Sequence, residues 1–286
     1  MDLIPTKFGG RNTVEKNKII FFDLDGVLIA NKFFTTYYLD QVLDKLMEKN
    51  IIIEKTELLK ELFNLFNSML ISKDQKKRVL AFDWDELVKI LFNKYDLKWD
   101  NKIEQFYKST DLKNYVHLYP DALNALHYLT SKGYQMFLVS NGLAKYQEQV
   151  IKILGLDKYF VNIILPDSVN DIKPKPGIFE YAISKCQKSL NEKCNELIFI
   201  GDSIYFDVYG ANLCGFESIL LYRALNRKMR KLPIKIRTEK FNEDKKILRY
   251  LKKDLLLSRF DLNNIDINLL KPNKVIYSLD ELKLFL

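Results

Sequence analysis

Two aspartates at alternate positions, Asp23 and Asp25, are the residues of this sequence best placed to do chemistry. They follow a continuous apolar run, residues 19–22, of the β-branched and aromatic kind that is typical of a strand buried on both faces of a parallel sheet. Alternation along an extended chain directs both carboxylates to the same side, and Gly26 lets the backbone turn sharply after them. Taken alone, this stretch also suits a strand that ends in a solvated acidic turn, but two like charges this close favour a bound cation or a shared proton.

A second predicted strand, residues 134–139, ends in groups that suit an anion. It is followed by Ser140, Asn141 and Gly142. A hydroxyl group next to backbone N–H groups is suited to holding a negatively charged oxygen.

A lysine and two further carboxylates complete the candidate set. Lys173 lies in a segment bracketed by prolines, which limits its freedom, and Asp202 follows a predicted strand at residues 197–200 with Asp207 about one helical turn later. Ligands of open α/β sheets bind beyond the carboxyl ends of the strands, so we expect these groups to converge. Carboxylates, a hydroxyl and a lysine together form an oxygen-rich site for Mg²⁺ and a phosphate group.

The elements that must position these residues alternate between helix and strand. Predicted strands lie at residues 19–22, 134–139, 161–165, 197–200 and 219–222, which indicates βαβ units and a parallel sheet. Residues 32–112 show helical periodicity throughout and predict a small four-helix bundle inserted after the first strand. Its aromatic residues are predicted to form bundle core rather than a ligand site: Phe33, Phe34, Tyr37, Tyr38, Trp84 and Trp99.

The motifs DLDGV, SNG, KPKP and GDSIYFD occur in the order that is typical of the haloacid dehalogenase superfamily, most of whose members are phosphatases, and the chain resembles this family over about 200 residues. The resemblance implies an α/β fold with a Rossmann-like parallel sheet core and an inserted helical cap. Residues 1–31 and 113–286 would form the core, with a basic insertion at about 223–272, and residues 32–112 would form the cap.

The resemblance also assigns roles to the candidate residues. Asp23 would be the nucleophile that forms an aspartyl-phosphate, and Asp25 would be the general acid and base. Lys173 would offset negative charge, with Lys175 as the competing lysine that the KPxPxIF frame disfavours. The implied phosphate ligands are Ser140, Asn141, Gly142 and Lys173, and the implied Mg²⁺ site is Asp23, Asp25 through its backbone carbonyl, and Asp202, supported by Asp207.

These roles predict a Mg²⁺-dependent phosphatase that hydrolyses a small phosphate monoester, such as a sugar phosphate, a nucleotide or a similar metabolite. The second aspartate, Asp25, favours phosphoryl transfer, because a halide leaving group needs no acid. A cap that closes over the site implies a small substrate. Two alternatives stay open: a phosphomutase of the β-phosphoglucomutase type, and a module that binds nucleic acid or protein through the basic insertion.

The basic insertion is the clearest departure from the family pattern. Residues 223–253 hold thirteen lysines and arginines against three acidic residues, in a chain whose net charge is +8. The favoured interpretation is a solvated helix whose apolar stripe is formed by Ile247, Leu248, Leu251 and Leu255. The alternative is an electrostatic surface for nucleic acid, an anionic membrane surface or a polyanionic substrate.

The remaining features predict a cytoplasmic protein. The cysteines, Cys186, Cys194 and Cys214, show no CxxC pair, which is typical of reduced thiols in the cytoplasm. No apolar stretch approaches the ~20 residues that cross a bilayer, and residues 1–18 lack the apolar segment of a signal peptide. Asp121 is predicted to cap the N-terminus of the helix that follows it.

Overall fold

The computed structural model describes residues 18–100, 102–109, 111–191, 194, 196–253 and 265–286. The strands in these residues are β1 (Lys18–Phe22), β2 (Ile29–Asn31), β3 (Val116–Leu118), β4 (Gln135–Val139), β5 (Asn162–Ile164), β6 (Glu196–Gly201), β7 (Glu217–Leu221) and β8 (Lys274–Ile276). Six of them form one parallel sheet in the order β5-β4-β1-β6-β7-β8.

The described helices form two groups, one in the block inserted after β1 and one in the rest of the chain. Those of the inserted block are α1 (Leu39–Met47), α2 (Lys55–Leu70), α3 (Gln75–Leu80), α4 (Trp84–Asn93) and α5 (Ile103–Ser109). Those of the sheet domain are α6 (Ala122–Ser131), α7 (Ala144–Ile153), α8 (Pro176–Leu190), α9 (Gly210–Leu213), α10 (Arg227–Arg230), α11 (Ile234–Phe241) and α12 (Asp244–Lys253).

Strand β1 is buried on both faces, as its unbroken apolar sequence predicts. Ile19 and Phe21 belong to the hydrophobic cluster that includes Phe179 of α8, whereas Ile20 and Phe22 belong to the cluster on the other face. A strand that feeds two cores must be apolar at every position, since neither face meets water. The predicted α/β fold with a parallel sheet is confirmed.

The order of the strands reverses direction at β1. Strands β4 and β5 follow on one side of it, and β6, β7 and β8 follow on the other. Crossover connections therefore leave in opposite directions at this point, which opens a crevice at the carboxyl ends of the central strands. The residues after β1 and β6 lie at the edge of this crevice.

The helical block of residues 32–112 is connected to the sheet domain through two short strands, β2 and β3, which pair with each other in an antiparallel arrangement. The sequence prediction missed this strand pair, because each strand has three residues and carries too little periodicity to be recognised. The block holds five described helices and a π-helical turn at Phe34–Tyr38, rather than four helices. Helix α2 packs against α3 and α4.

The basic segment folds as packed helices, α10 to α12, rather than as one solvated helix. Ile247 and Leu251 are buried as the stripe predicts, Leu248 is 36% exposed, and Leu255 lies outside the described residues. Arg237 is only 2% exposed, and its guanidinium donates to the carboxylate of Glu281 at 2.7 Å and to four main-chain carbonyls. The positive charge of Arg237 is therefore buried and paired rather than exposed at the surface, which the spacing of residues in the sequence could not reveal.

The prediction of three reduced thiols is wrong for two of the cysteines. Cys186 of α8 and Cys194 form a disulfide, and Cys214 is the free cysteine. Asn191, which follows α8, has φ +54°, and the separation of 8 positions between the two cysteines matches no motif that would predict their pairing. No described helix is long and apolar enough to cross a bilayer, and the cytoplasmic location stays a prediction.

Candidate active site

A cavity of about 380 Å³ lies between the carboxyl ends of the central strands and the helical block. Groups from β1, β4 and β6 and from the loop before α8 line one side of it. The predicted site residues all reach this cavity: Asp23, Asp25, Ser140, Asn141, Gly142, Lys173, Asp202 and Asp207. We refer to these eight residues as the charged side.

The first turn of the charged side begins as β1 ends. The N–H of Asp23 donates to the carbonyl of Ile200 at 2.9 Å, which continues the pairing of β1 with β6. Leu24 is fully buried, whereas Asp23 and Asp25 both face the cavity. Gly26 has φ +80°, and a Cβ there would lie 1.9 Å from an Asp202 carboxylate oxygen. Glycine is therefore required at this position both for the turn and for the space that Asp202 occupies.

Lys173 is the buried cation at the centre of the charged side. Its Nζ donates to Asp23 Oδ1 and to Asp207 Oδ1, both at 2.6 Å. The side-chain amide of Asn141 fixes the main chain of Lys173, accepting its N–H at 2.7 Å and donating to its carbonyl at 3.1 Å. Lys175, the competing lysine, is exposed and outside the cavity lining. A buried ammonium group is tolerated here because carboxylates compensate its charge.

Asp207 is a positioning residue because both of its oxygens are engaged. Oδ1 accepts from Lys173, and Oδ2 accepts the N–H groups of Asp202 and Ser203 at 3.0 and 2.9 Å. One oxygen from each of Asp23, Asp202 and Asp207 lies within 4.8 Å of the others, so the cluster could hold a metal ion. The occupied oxygens of Asp207 leave Asp23 and Asp202 as the better donors.

Three carboxyl groups on the charged side, those of Asp23, Asp25 and Asp202, have raised pKa values. Burial raises the pKa of Asp23 to about 7, although Lys173 lowers it, while Asp207 and Asp25 raise it further. Enclosure in the cleft, followed by the charges of Asp207 and Asp23, raises the pKa of Asp202 well above its usual value. Burial lowers the pKa of Lys173, but Asp207 and Asp23 outweigh that effect and raise it. The site therefore holds an excess of negative charge that a cation would relieve.

Ser140 follows the end of β4 and lines the cavity together with Asp23. Its side chain is buried, and its Oγ accepts the N–H of Gly142 at 3.2 Å. The hydroxyl proton stays available for donation to an anionic oxygen in the cavity. The Asn141 amide is committed to Lys173, so Asn141 supports the lysine in addition to lining the cavity.

The side of the cavity opposite the carboxylates is aromatic. It is formed by Phe33, Phe34, Phe63, Phe82, Trp84 and Tyr107 of the helical block and by Phe206, which follows β6. We refer to these residues as the aromatic wall. The prediction of bundle core is incomplete for three of these residues. Phe33 is buried, Phe34 and Trp84 are half-buried and pack against the hydrophobic core, and all three also line the cavity. Helical periodicity identifies an apolar face but not what covers it.

Comparison with known proteins agrees with this architecture. Residues 17–215 match the family model described as haloacid dehalogenase-like hydrolase. The chain belongs to this family. It is 29% identical over 202 residues to the glyceraldehyde 3-phosphate phosphatase of Pyrococcus furiosus, covering 71% of this chain and 79% of that protein. It is 28% identical over 207 residues to the phosphoglycolate phosphatase of Pasteurella multocida, covering 69% of this chain and 82% of that protein.

A solved structure of the family shares the fold. The crystal structure of a haloacid dehalogenase (HAD) phosphatase from Thermococcus onnurineus superposes with a TM-score of 0.59 at 31% sequence identity, covering 73% of this chain and 88% of that chain. The chain is thus a hydrolase of the haloacid dehalogenase-like family, and the relatives named here are phosphatases.

Two further residues contact the turn that follows β1, and the sequence motifs predict neither of them. Gln147 of α7 donates from Nε2 to Asp25 Oδ2 at 2.7 Å, and a Cβ on Gly142 would lie 2.1 Å from that Nε2. Gly142 therefore makes room for the glutamine. Burial raises the pKa of Asp25, while hydrogen bonds from Gln147 and Asn31 lower it. The available signal in the sequence was its spacing, because Gln147 lies three and four positions before Val150 and Ile151 and so shares their apolar face of the predicted helix.

Arg223, the first residue of the basic segment, is the second missed residue. Its guanidinium donates to the main-chain carbonyls of Gly26 and Val27 at 3.2 and 2.7 Å. It also makes a bidentate ion pair with the carboxylate of Asp121, with both contacts at 2.9 Å. Asp121 also accepts the hydroxyl of Ser278 at 2.7 Å. Asp121 occupies the predicted N-cap position of α6, but its side chain makes no capping hydrogen bond. The carboxylate instead holds the arginine behind the turn.

The helical block is tied to the sheet domain beside the site. Tyr146 and Lys145 of α7 both donate to Asp83 Oδ1 at 2.7 Å, and the hydroxyl of Tyr146 also lies 3.2 Å from Asp85 Oδ2. Asp83 and Asp85 flank Trp84 at the start of α4. These bonds fix where the aromatic wall stands relative to the charged side.

Proposed function

We propose that this hydrolase is a Mg²⁺-dependent phosphatase that cleaves a small phosphate monoester. The observation that carries the proposal is the buried lysine that bridges Asp23 and Asp207 beside Asp202 in the cavity. The phosphatase names of the relatives support the same activity. The net negative floor suits a metal ion and a phosphoryl group together.

The donor set fits magnesium. Carboxylate oxygens are the ligands that this ion prefers, with water and substrate oxygens completing its shell. Asp23, Asp202 and the main-chain carbonyl of Asp25 would hold it, and Asp207 would position the loop that carries Asp202. When bound, the ion neutralises negative charge on the phosphoryl group and on the carboxylates around it.

In the proposed first step, a carboxylate oxygen of Asp23 attacks phosphorus while the ester P–O bond breaks. Asp25 donates a proton to the departing oxygen, so an alcohol leaves and an aspartyl-phosphate forms. Gln147 orients the Asp25 carboxyl group through its bond to Oδ2. Lys173 and the hydroxyl of Ser140 stabilise the charge of the transferring group.

In the second step, water attacks phosphorus of the aspartyl-phosphate. Asp25 accepts a proton from this water, the bond between Asp23 and phosphorus breaks, and inorganic phosphate leaves. We further propose that residues 32–112 act as a cap over residues 18–31 and 113–286. Its contacts beside the site would exclude bulk water from the aspartyl-phosphate until the leaving group departs.

The decisive experiment measures phosphate release from sugar phosphates, nucleotides and 4-nitrophenyl phosphate, with and without Mg²⁺. Asp23→Asn keeps the shape of the side chain and removes the nucleophile, so we expect a loss of at least about 10⁴-fold in kcat. Asp157→Asn, an exposed aspartate outside the cavity, is the matched control. Activity retained by Asp23→Asn contradicts the mechanism, and isomerised sugar phosphate without phosphate release indicates a phosphomutase.

A further inference from the structure

We propose that the preferred substrates carry an uncharged aromatic leaving group, as an aryl or arylmethyl phosphate monoester. This inference rests on the proposed phosphatase activity and assigns its substrate class. It follows from what the aromatic wall offers and from the charged groups that the wall lacks.

The rings of the wall present apolar surface to the cavity. Phe34, Phe63, Phe82 and Trp84 are each only half-buried. By contrast Phe66, on the same helix as Phe63, is 3% exposed and belongs to the packed core. Half-buried aromatic rings that converge on one enclosed space gain free energy when a ligand covers them.

The wall has a flat surface in a fixed place. Phe34 and Trp84 are stacked with their ring centroids 3.8 Å apart and 28° between their planes, and Trp84 is also stacked near Phe66. Phe82 meets Phe206 edge to face at 6.0 Å, across the boundary between the helical block and the sheet domain. The bonds of Asp83 and Asp85 to α7 hold the start of α4. Offset and edge-to-face contacts with rigid rings favour a planar aromatic ligand over a flexible one.

The charges around the cavity exclude a second anionic group. Among the described residues that line it, Lys173 is the only lysine, arginine or histidine, and its Nζ already donates to Asp23 and Asp207. The other charged lining residues are the aspartates of the charged side. A carboxylate or a second phosphate on the leaving group would therefore meet no free cation and would be buried unpaired.

The reaction that follows is hydrolysis of the ester: the P–O bond breaks, one water is consumed, and an aromatic alcohol and inorganic phosphate are released. We test it with three alkyl esters of similar intrinsic reactivity, namely benzyl phosphate, cyclohexylmethyl phosphate and 4-carboxybenzyl phosphate. We expect kcat/KM for benzyl phosphate to exceed each of the others by about 10-fold. An equal or higher value for 4-carboxybenzyl phosphate overturns the exclusion of anions, and an equal value for cyclohexylmethyl phosphate overturns the preference for aromatic rings.

Substitutions in the wall locate the effect. We expect Trp84→Leu to lower the ratio of kcat/KM for benzyl over cyclohexylmethyl phosphate toward one, and Phe63→Arg to raise relative kcat/KM for 4-carboxybenzyl phosphate. Tyr95→Leu removes an aromatic ring from the same helical block outside the cavity lining, and the ratio should not change. A ratio that falls equally in Tyr95→Leu contradicts a role for the wall.

A binding measurement separates failure of this inference from failure of the proposed function. The chain has two tryptophans, so a Trp99→Phe variant leaves Trp84 as the sole fluorescent indole. We expect the non-hydrolysable benzylphosphonate to change this fluorescence at about 10-fold lower concentration than cyclohexylmethylphosphonate. Binding of benzylphosphonate without turnover of any ester would refute the phosphatase and keep the aromatic site. Turnover with equal affinity for both phosphonates would refute the aromatic site alone.

Discussion

The charged side and the aromatic wall face each other across one cavity but are built by different rules. On the charged side, hydrogen bonds hold charged groups in place: Lys173 donates to two carboxylates, Asp207 accepts from three donors, and Asp25 accepts from Gln147. The wall consists of rings that touch through dispersion contacts. A buried charge needs directional partners, whereas a ring needs only contact area. We infer that a change on the charged side affects both folding and chemistry, whereas a change in the wall affects mainly the choice of substrate.

The largest expected effect tests the dependence of the charged side on its central cation. Lys173→Met leaves Asp23 and Asp207 buried without their shared partner, so we expect the free energy of unfolding to fall by about 3–5 kcal/mol and phosphate release to be lost. Urea denaturation measures the first and a phosphate assay the second. Lys175→Met, two residues away and exposed, is the control. Unchanged stability in Lys173→Met would contradict the comparison, because the charged side would then be no more important for folding than the wall.

A smaller effect is expected at Gln147, whose amide orients the general acid. Gln147→Leu should lower kcat by about 10-fold or more for benzyl phosphate, whose leaving oxygen needs a proton, and by less for 4-nitrophenyl phosphate, whose leaving group does not. Glu148→Gln, an exposed neighbour on α7, should change neither rate. Equal losses on both substrates would show that Gln147 acts only through local folding.

The next smaller effect is expected at Tyr146, which connects α7 of the sheet domain to the start of α4 in the helical block. Tyr146→Phe removes the hydroxyl that contacts Asp83 at 2.7 Å, so we expect a loss of about 1 kcal/mol in stability and a several-fold higher KM, with kcat less affected. Tyr159→Phe removes a hydroxyl of an exposed pair with His127 and serves as the control. A fall in kcat with an unchanged KM would argue that Tyr146 takes part in chemistry instead of fixing the wall.

The smallest expected effect is a pH dependence of stability that comes from the ion pair between Asp121 and Arg223. Burial raises the pKa of Asp121, but hydrogen bonds from Arg223, Ser278 and the N–H of Leu279 outweigh it and lower the pKa below its usual value. A lowered folded-state pKa contributes stability above the unfolded value of ~3.9, and this is lost as the pH falls through the folded value. The difference in free energy of unfolding between the wild type and Asp121→Asn should therefore shrink as the pH falls below about 4. A difference that does not change with pH would mean that Asp121 contributes through its shape alone.

The sequence alone was sufficient for the local parts of this protein. The apolar run of β1, the aspartates that follow it and the order of the motifs predicted the parallel sheet, the family and the residues that meet at the crevice. These signals are readable because each lies within a few residues of a strand end, and parallel strands end on a common edge. The strand pair β2 and β3 was missed because three residues are too few to show a period.

What only the tertiary structure decided is how distant residues complete the site. Gln147 reaches Asp25 across 122 positions, and Arg223 reaches Gly26 across 197. The same holds for the buried charge of Arg237, the pairing of Cys186 with Cys194, and the exposure of Trp84 to the cavity. Periodicity and motifs report the character of one segment, whereas hydrogen bonds, ion pairs and burial depend on which segments meet in space. The sequence therefore determined which groups could do the chemistry, and packing determined their partners and the surface that a substrate meets.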